Sequence, residues 1–404
     1  MSEAKPEIMP PKPASETRIP LCEPRLGGNA RAYLDECLTS GFVSSVGPFV
    51  ERFEQAFAAR VGARFAVACS TGTAALHVAC RLAGVGPGDE VFVSTLTFIA
   101  SANPICYERG TPVLVDAEPE TWNLDPALVI EELDRRARVG ARQPRAVIAV
   151  HVLGRPAQLA ALAAACRRHG VTLIEDAAEA LGATYTDETA GPAGRHVGTL
   201  GALACFSFNG NKIITTGGGG MITTNDERLA RRARHLTTQA RLPGPDYRHD
   251  EVGYNYRLTN IAAALGLAQL EQLEEFLARK HAIAATYDAA LGARPGFRVP
   301  TPVSWAHSSH WLYALEIDPT LAGVDRRGLH EALRARGIET RPVWTPLHQL
   351  APYAEAPRLG GSVADGIFAR GLCLPSSVTL DAAAQARVLR AIADLTSDPR
   401  VQER

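Results

Sequence analysis

From about residue 62 onward, short apolar and β-branched runs alternate with segments whose apolar positions recur at helical spacing. The runs are Phe65 to Ser70, Val91 to Thr95, Pro112 to Val115, Ala146 to Val152, Val171 to Ile174, Ala202 to Phe208 and Gly220 to Thr224. Most are nearly continuous in apolar character rather than alternating, as expected of strands covered on both faces. Helical patterns fall at Ala74 to Leu82, Ala127 to Arg138, Ala157 to Arg168 and Glu227 to Thr238. The alternation predicts an α/β fold, a mostly parallel seven-stranded sheet with helices on both faces.

A long amphipathic helix is predicted over Thr259 to Leu291, with Leu265, Leu270, Leu273 and Leu277 along one face. It could bridge two domains, support a dimer, or simply pack. Arg294 to Ser309, rich in Pro and Gly, reads as a crossing segment. Beyond His310, a strand-like stretch at Trp311 to Ile317 and helices at Arg326 to Arg336 and Asp381 to Thr396 predict a small α+β C-terminal domain. The chain therefore divides into residues 1–17, a disordered leader, residues 18–290, a large domain with its N-terminal segment, and residues 291–404, the small domain. The leader carries Pro6, Pro10, Pro11 and Pro13 and has no apolar core of a signal peptide.

Composition narrows the function. With 46% hydrophobic residues the 404-residue chain can bury large cores, and Lys+Arg 42 against Asp+Glu 43 leaves a net charge of -1. That balance gives no electrostatic reason to expect nucleic acid or a membrane surface as partner. No apolar run reaches transmembrane length, so a soluble protein is expected. None of the eight cysteines forms a CxxC pair, which speaks against a zinc or redox motif. Cys69 and Cys205 lie inside apolar runs as core residues, and the pattern suits a reducing cytoplasm. No metal site is expected.

Four segments could carry chemistry. Ser70-Thr71-Gly72-Thr73 joins a strand to a helix, where backbone N–H groups can hold a phosphate or merely cap the helix. Asp176 ends the apolar strand of Leu173-Ile174-Glu175-Asp176, at the edge where open α/β sheets place ligands. Its carboxylate could hold a metal, a ribose or a protonated ring nitrogen, or cap a helix. Lys212 follows the buried run Phe206-Ser207-Phe208 and precedes the glycines Gly217 to Gly220. A lysine is costly to bury, and one so placed suits an imine with an aldehyde cofactor. Ser207 could donate to a phosphate, as could Asn255 in Gly253-Tyr254-Asn255-Tyr256-Arg257, which otherwise reads as a turn.

Taken in this order, and with Asp116 and Thr121-Trp122-Asn123-Leu124-Asp125-Pro126, these segments resemble the DegT-type sugar aminotransferases, fold-type-I enzymes of pyridoxal 5'-phosphate (PLP). The similarity runs from about Ile19 to about Arg390. The resemblance implies that Lys212 forms the Schiff base and later moves the proton, and that Asp176 pairs with the pyridine nitrogen. Gly72, Thr73 and Ser207 would bind the phosphate, and Phe98 would stack on the ring. Asn255 would reach the phosphate in the neighbouring subunit, making the active unit a homodimer with shared sites. Many family members carry Gln or His three residues after the aspartate, near the cofactor's phenolic oxygen. Glu179 stands there in this chain. A second carboxylate beside that oxygen repels negative charge unless it is protonated or turned away.

The finer resemblance is to the branch acting on UDP-linked 4-keto-6-deoxy-N-acetyl sugars, of the bacillosamine and legionaminic acid type. It rests on Gly41 to Gly47, Phe208 to Lys212, Glu339 to Trp344 and Leu374 to Ser377. It implies a nucleotide sugar as amino acceptor and an amino acid, L-glutamate, as donor. His310, Arg341 and His348 are polar candidates for the sugar or its diphosphate, or structural residues. The alternatives are a 3-keto or differently linked nucleotide sugar, as in an antibiotic or GDP-sugar pathway, and a non-catalytic PLP-fold regulator. The dehydratase branch replaces the lysine by histidine, which Lys212 opposes. A Rossmann oxidoreductase would need a glycine fingerprint that the first βα turn lacks.

Overall fold

The computed structural model describes residues 18–186 and 193–396, so the predicted leader at 1–17 lies outside the described residues. All seven apolar runs form strands: β1 Phe65–Cys69, β2 Glu90–Ser94, β3 Thr111–Val115, β4 Ala146–Val150, β5 Thr172–Asp176, β6 Leu203–Ser207 and β7 Gly220–Thr224. Across the sheet they lie in the order β1-β7-β6-β5-β4-β2-β3. β7 is antiparallel to both neighbours, and the remaining pairs are parallel. The sheet has eight strands rather than seven, because Arg358–Leu359 adds a parallel edge strand beside β3. At that length no hydrophobic period can announce it.

The continuity of the apolar runs has the expected cause. Val91 and Val93 face one core and Phe92 the other; Ala146 and Ile148 alternate likewise with Val147 and Ala149. Helices α1 Ala30–Ser40, α2 Pro48–Val61, α3 Gly72–Leu82, α4 Pro126–Arg138, α5 Ala160–His169 and α6 Glu227–Thr237 surround the sheet. The sequence reading omits α1 and α2. α2 drives Phe53 and Phe57 into the core, with ring centroids 5.2 Å from Phe208 and 5.0 Å from Phe206 respectively.

The predicted long helix is two helices, α7 Asn260–Leu270 and α8 Leu273–Leu291. No Pro or Gly stands at the break. The N-terminal segment docks there instead: Gln269 donates to the Arg25 carbonyl at 2.9 Å, and Asn29 and Tyr33 each donate to Glu271 at 2.7 Å. α7 is buried on most of its surface rather than along one stripe, with Leu265 among its few half-buried positions. An antiparallel small sheet orders Arg341–Pro342, Gly371–Leu374, Tyr313–Ile317 and Phe297–Arg298, so the crossing segment contributes its edge strand. Helices Arg326–Ala335 and Ala382–Leu395 cover it through Leu329, Leu333 and Ile392. Among the described residues no helix is long and apolar enough to cross a membrane.

Candidate active site

The carboxyl ends of β1, β5 and β6 meet at one cavity of about 410 Å³. After β1, Thr71 caps α3 by accepting the Ala74 N–H at 2.9 Å. Gly72 and Thr73 open the helix, where first-turn N–H groups have no intrahelical acceptor and favour an anion. A Cβ on Gly72 would stand 2.8 Å from the Ser207 Cβ, so only glycine lets the helix start close onto the end of β6. Of the glycine run, Gly217 alone has a left-handed φ, of 79°. Gly220 is needed for a different reason, since its Cβ would stand 2.4 Å from the Thr71 carbonyl.

β5 delivers two carboxylates to opposite sides of the sheet. Asp176 faces the cavity, buried, with Oδ2 accepting from Ser101 at 2.7 Å and Oδ1 from the Ala178 N–H at 3.1 Å. Burial raises its carboxyl above the ordinary range, against the pull of those hydrogen bonds and of the Lys212 charge. Glu175, on the other side, accepts the N–H groups of Gly198, Leu200 and Gly201 and pairs with fully buried His151 at 3.0 Å. Burial pushes this carboxyl up, but the His151 and backbone hydrogen bonds outweigh it and hold it below the usual value. Glu175 is a brace for the strand end, since every oxygen is committed.

Lys212 sits in the loop after β6, its N–H donating to the Asn209 carbonyl at 3.0 Å. The side chain is only 13% exposed, with Nζ 3.9 Å from Glu179 Oε1 and 3.9 Å above the Trp311 ring centroid. Burial lowers its pKa, while Glu179 and Asp176 oppose and Arg341 reinforces the fall. Glu179 is buried, and its Oε2 accepts the N–H of Leu153, a residue in the left-handed region at φ 56°. Burial raises the Glu179 carboxyl against the Lys212 charge and the Leu153 N–H. One oxygen is thus tied to the backbone and the other faces the lysine.

Gly72, Thr73, Phe98, Asp176, Glu179, Ser207 and Lys212 all line this cavity, as does Arg341. Asn255 does not. It lines a separate cavity of about 370 Å³ with Ser45, Arg241 and Arg257. His310 lines a third, and His348 is held between Thr95 at 2.7 Å and Asp365 at 2.9 Å. Asp116 turns out to tether a distant turn, accepting the N–H groups of Gly361, Val363 and Ala364. Asn123 likewise braces the end of β4 by accepting the Val152 N–H. Ser101, Trp311, Trp344 and Asn211 also line the cavity; none was named as a site residue from the sequence, though Asn211 and Trp344 lie in the stretches behind the finer resemblance.

These residues fit PLP. A buried acid without a cationic hydrogen-bond partner suits the pyridine nitrogen, an uncommitted lysine suits the aldehyde, and the start of α3 with Ser207 suits the phosphate. Fold and cavity together are those of a fold-type-I PLP-dependent enzyme. The model of the DegT/DnrJ/EryC1/StrS aminotransferase family matches residues 24–393, and the chain belongs to that family. GDP-perosamine synthase of Caulobacter vibrioides is 44% identical over 377 residues, covering 93% of this chain and 97% of its own. EpsN of Bacillus subtilis, whose name makes it a candidate pyridoxal phosphate-dependent aminotransferase, is 41% identical over 382 residues, covering 94% and 96%. The crystal structure of the aminotransferase TlmJ from Streptoalloteichus hindustanus superimposes with a TM-score of 0.82 at 32% identity, covering 93% and 97%.

Proposed function

We propose that this aminotransferase moves an amino group from L-glutamate to a 4-keto-6-deoxy nucleotide sugar in the biosynthesis of a surface polysaccharide. The observation that carries this reading is the grouping of Lys212, Asp176, Ser207 and the start of α3 around one cavity. When bound, PLP supplies the electron sink for the exchange. Asp176, held in place by Ser101 and Ala178, would keep the ring nitrogen protonated. Lys212 Nζ, with no hydrogen bond among the described residues, is the amine that would hold the cofactor and would then be free to carry a proton. Gly72, Thr73 and Ser207, at the start of α3 and the end of β6, would hold the phosphate, and Phe98 on the same cavity wall would pack on the ring.

Two nucleotide carriers compete. The stretches Gly41 to Gly47, Phe208 to Lys212, Glu339 to Trp344 and Leu374 to Ser377 favour a UDP-linked N-acetylhexosamine, the reading made from the sequence. The relatives favour GDP: synthases of GDP-perosamine from three organisms are 44%, 37% and 37% identical to this chain. SpsC of Bacillus subtilis, named for spore coat polysaccharide biosynthesis, supports the polysaccharide setting at 35% identity.

Asn255 serves the site of a second subunit in this reading. Its cavity includes Ser45 and adjoins a stretch with exposed Phe42, Val43 and Val46, an apolar surface suited to a homodimer. The experiment is an absorption spectrum of the PLP-loaded protein before and after L-glutamate, followed by each keto sugar. The visible band should disappear with glutamate and return with the true acceptor. A protein that takes up no PLP overturns the reading.

A further inference from the structure

The cavity that His310 lines holds about 350 Å³, within the range of about 300 to 1,000 Å³ that ligand sites occupy. It shares a wall with the active site, since Trp311, next in the chain, lines the other cavity. Two opposite charges line it and do not meet. Arg155, just after β4, lays its guanidinium 4.2 Å from the Trp122 ring centroid and makes one hydrogen bond, to the Ala314 carbonyl at 3.2 Å. Among the described residues no carboxylate lies within ion-pair distance of it. Burial lowers its pKa to about 10, so it stays charged at pH 7. Asp288 of α8 accepts the Tyr313 hydroxyl at Oδ1, 2.7 Å away, and its Oδ2 has no partner among the described residues. Burial raises its carboxyl, while the Tyr313 hydroxyl and the charge of Arg155 oppose the rise. The His310 ring also makes no hydrogen bond among the described residues, and it stands edge-on to His281 at 5.5 Å. Trp122 and His310 are held at φ 68° and 49°, strained backbone of the kind that clusters at binding sites.

We infer that this cavity binds a free α-amino acid with an aliphatic side chain, its carboxylate on Arg155 and its ammonium on Asp288. A guanidinium with unused donors calls for an anion, and a carboxylate with an unused oxygen calls for a cation. A small ligand that satisfies both is a zwitterion, and an α-amino acid carries both charges on one carbon. A phosphate or diphosphate would set its several negative charges against Asp288 as well. The wall formed by Pro300, Pro302 and Val303 offers the ligand no polar side chain, which suits an aliphatic group. The inference does not depend on the aminotransfer reading, because none of these residues lines the active-site cavity.

The test is calorimetric titration with L-leucine of the protein loaded with pyridoxamine 5'-phosphate, whose active site already carries its amine. Leucine should bind at one site per chain. 4-Methylpentanoate, which lacks the ammonium, and 3-methylbutylamine, which lacks the carboxylate, should each bind at least about tenfold more weakly, the loss expected for one charge-assisted contact. Arg155→Gln should weaken leucine at least about tenfold and leave 3-methylbutylamine within about twofold of wild type. Asp288→Asn should weaken leucine by about tenfold and leave 4-methylpentanoate as tight or tighter. It is the decisive variant should Arg155→Gln fold poorly, because Asn keeps an oxygen for the Tyr313 hydroxyl. No binding of leucine to wild type would overturn the inference. Equal binding of leucine and 4-methylpentanoate would make this a simple anion site and overturn it too. Leucine binding unchanged in both variants would place the amino acid elsewhere, with the same result.

Discussion

Among the described residues two lysines are largely withdrawn from solvent, and they are held in opposite ways. Lys280 in α8 is 2% exposed, and its ammonium donates to the carbonyls of Trp311 at 2.8 Å and Ser376 at 2.5 Å, with Cys22 Sγ 3.8 Å away. Lys212 has carboxylates nearby but no hydrogen bond to its ammonium among the described residues, only Glu179 at 3.9 Å and the Trp311 ring. Burial lowers both pKa values. Burial alone therefore does not make a lysine reactive. A lysine whose protons are all committed is a strut, and one whose protons are left free is available for chemistry. The two are also linked, since the strut holds the backbone of the tryptophan over which Lys212 lies.

The hardest test of this contrast is to remove each lysine. Lys212→Ala or Lys212→Arg should abolish turnover, a loss of at least about 10⁴-fold, while the urea midpoint stays near wild type. A Lys212 variant with substantial turnover would sink the assignment. Asp176→Asn comes next: about a 100-fold fall in kcat with PLP still bound, because a neutral amide cannot hold the ring nitrogen protonated. Lys280→Met should do the reverse. Its chain fills much of the volume, but two buried carbonyls lose their donor, at about 1 to 3 kcal/mol each. The urea midpoint should fall while turnover per folded molecule is largely kept. A stable Lys280→Met protein without turnover would break the contrast.

What the sequence could reveal follows from the same physics. The seven longer strands of the large sheet were legible because burial makes a run apolar throughout, as in Ala146 to Val150. Asp176 was legible because its charge ends such a run, and Lys212 because its charge stands just beyond one, ahead of a glycine run. α2 was legible and overlooked: Phe49, Phe53, Phe57 and Val61 repeat every four residues behind Pro48. The break between α7 and α8 was not legible, since docking of the N-terminal segment, not a local breaker, accompanies it. Ser101 carries no local signal either, and Trp344 stood in a stretch behind the finer resemblance without any sign that it meets the cavity. They reach the cavity only through tertiary folding, and Arg341 was one of three polar candidates until the cavity separated it from His310 and His348.

Glu179 sharpens the contrast more gently. Its charge raises the pKa of Lys212, so Glu179→Gln should lower it further and move the alkaline limb of PLP uptake by the apo-protein to lower pH. Gln still offers an oxygen to the Leu153 N–H, so the fold should be preserved and kcat should stay within about tenfold. Glu179→Ala removes that acceptor and should cost about 1 to 3 kcal/mol of stability as well. An uptake profile unmoved by Glu179→Gln would mean that the carboxyl is already neutral beside the lysine.

His196 extends the rule to a group with a smaller effect. Its Nδ1–H donates to the Val197 carbonyl at 2.6 Å and its Nε2 accepts the Gly182 N–H at 2.7 Å, so both nitrogens are committed in the neutral form. Burial lowers its pKa to about 4. The folded value is depressed, so between the ordinary value near 6.5 and about 4 the unfolded chain binds a proton that the folded chain refuses. Its contribution is fully present above 6.5 and drains away as pH falls through that window, by no more than about 1.4 kcal/mol per pH unit. His310, lowered by burial to about 3, contributes over an overlapping window that reaches lower, so the difference between two proteins is the informative quantity. His196→Gln should be less stable at pH 7 yet lose less between pH 7 and pH 5 than wild type, read as urea midpoints. An identical acid slope in both proteins would show that His196 accepts its proton without disturbing the fold, and that commitment of its nitrogens does not govern its chemistry as it does for the two lysines.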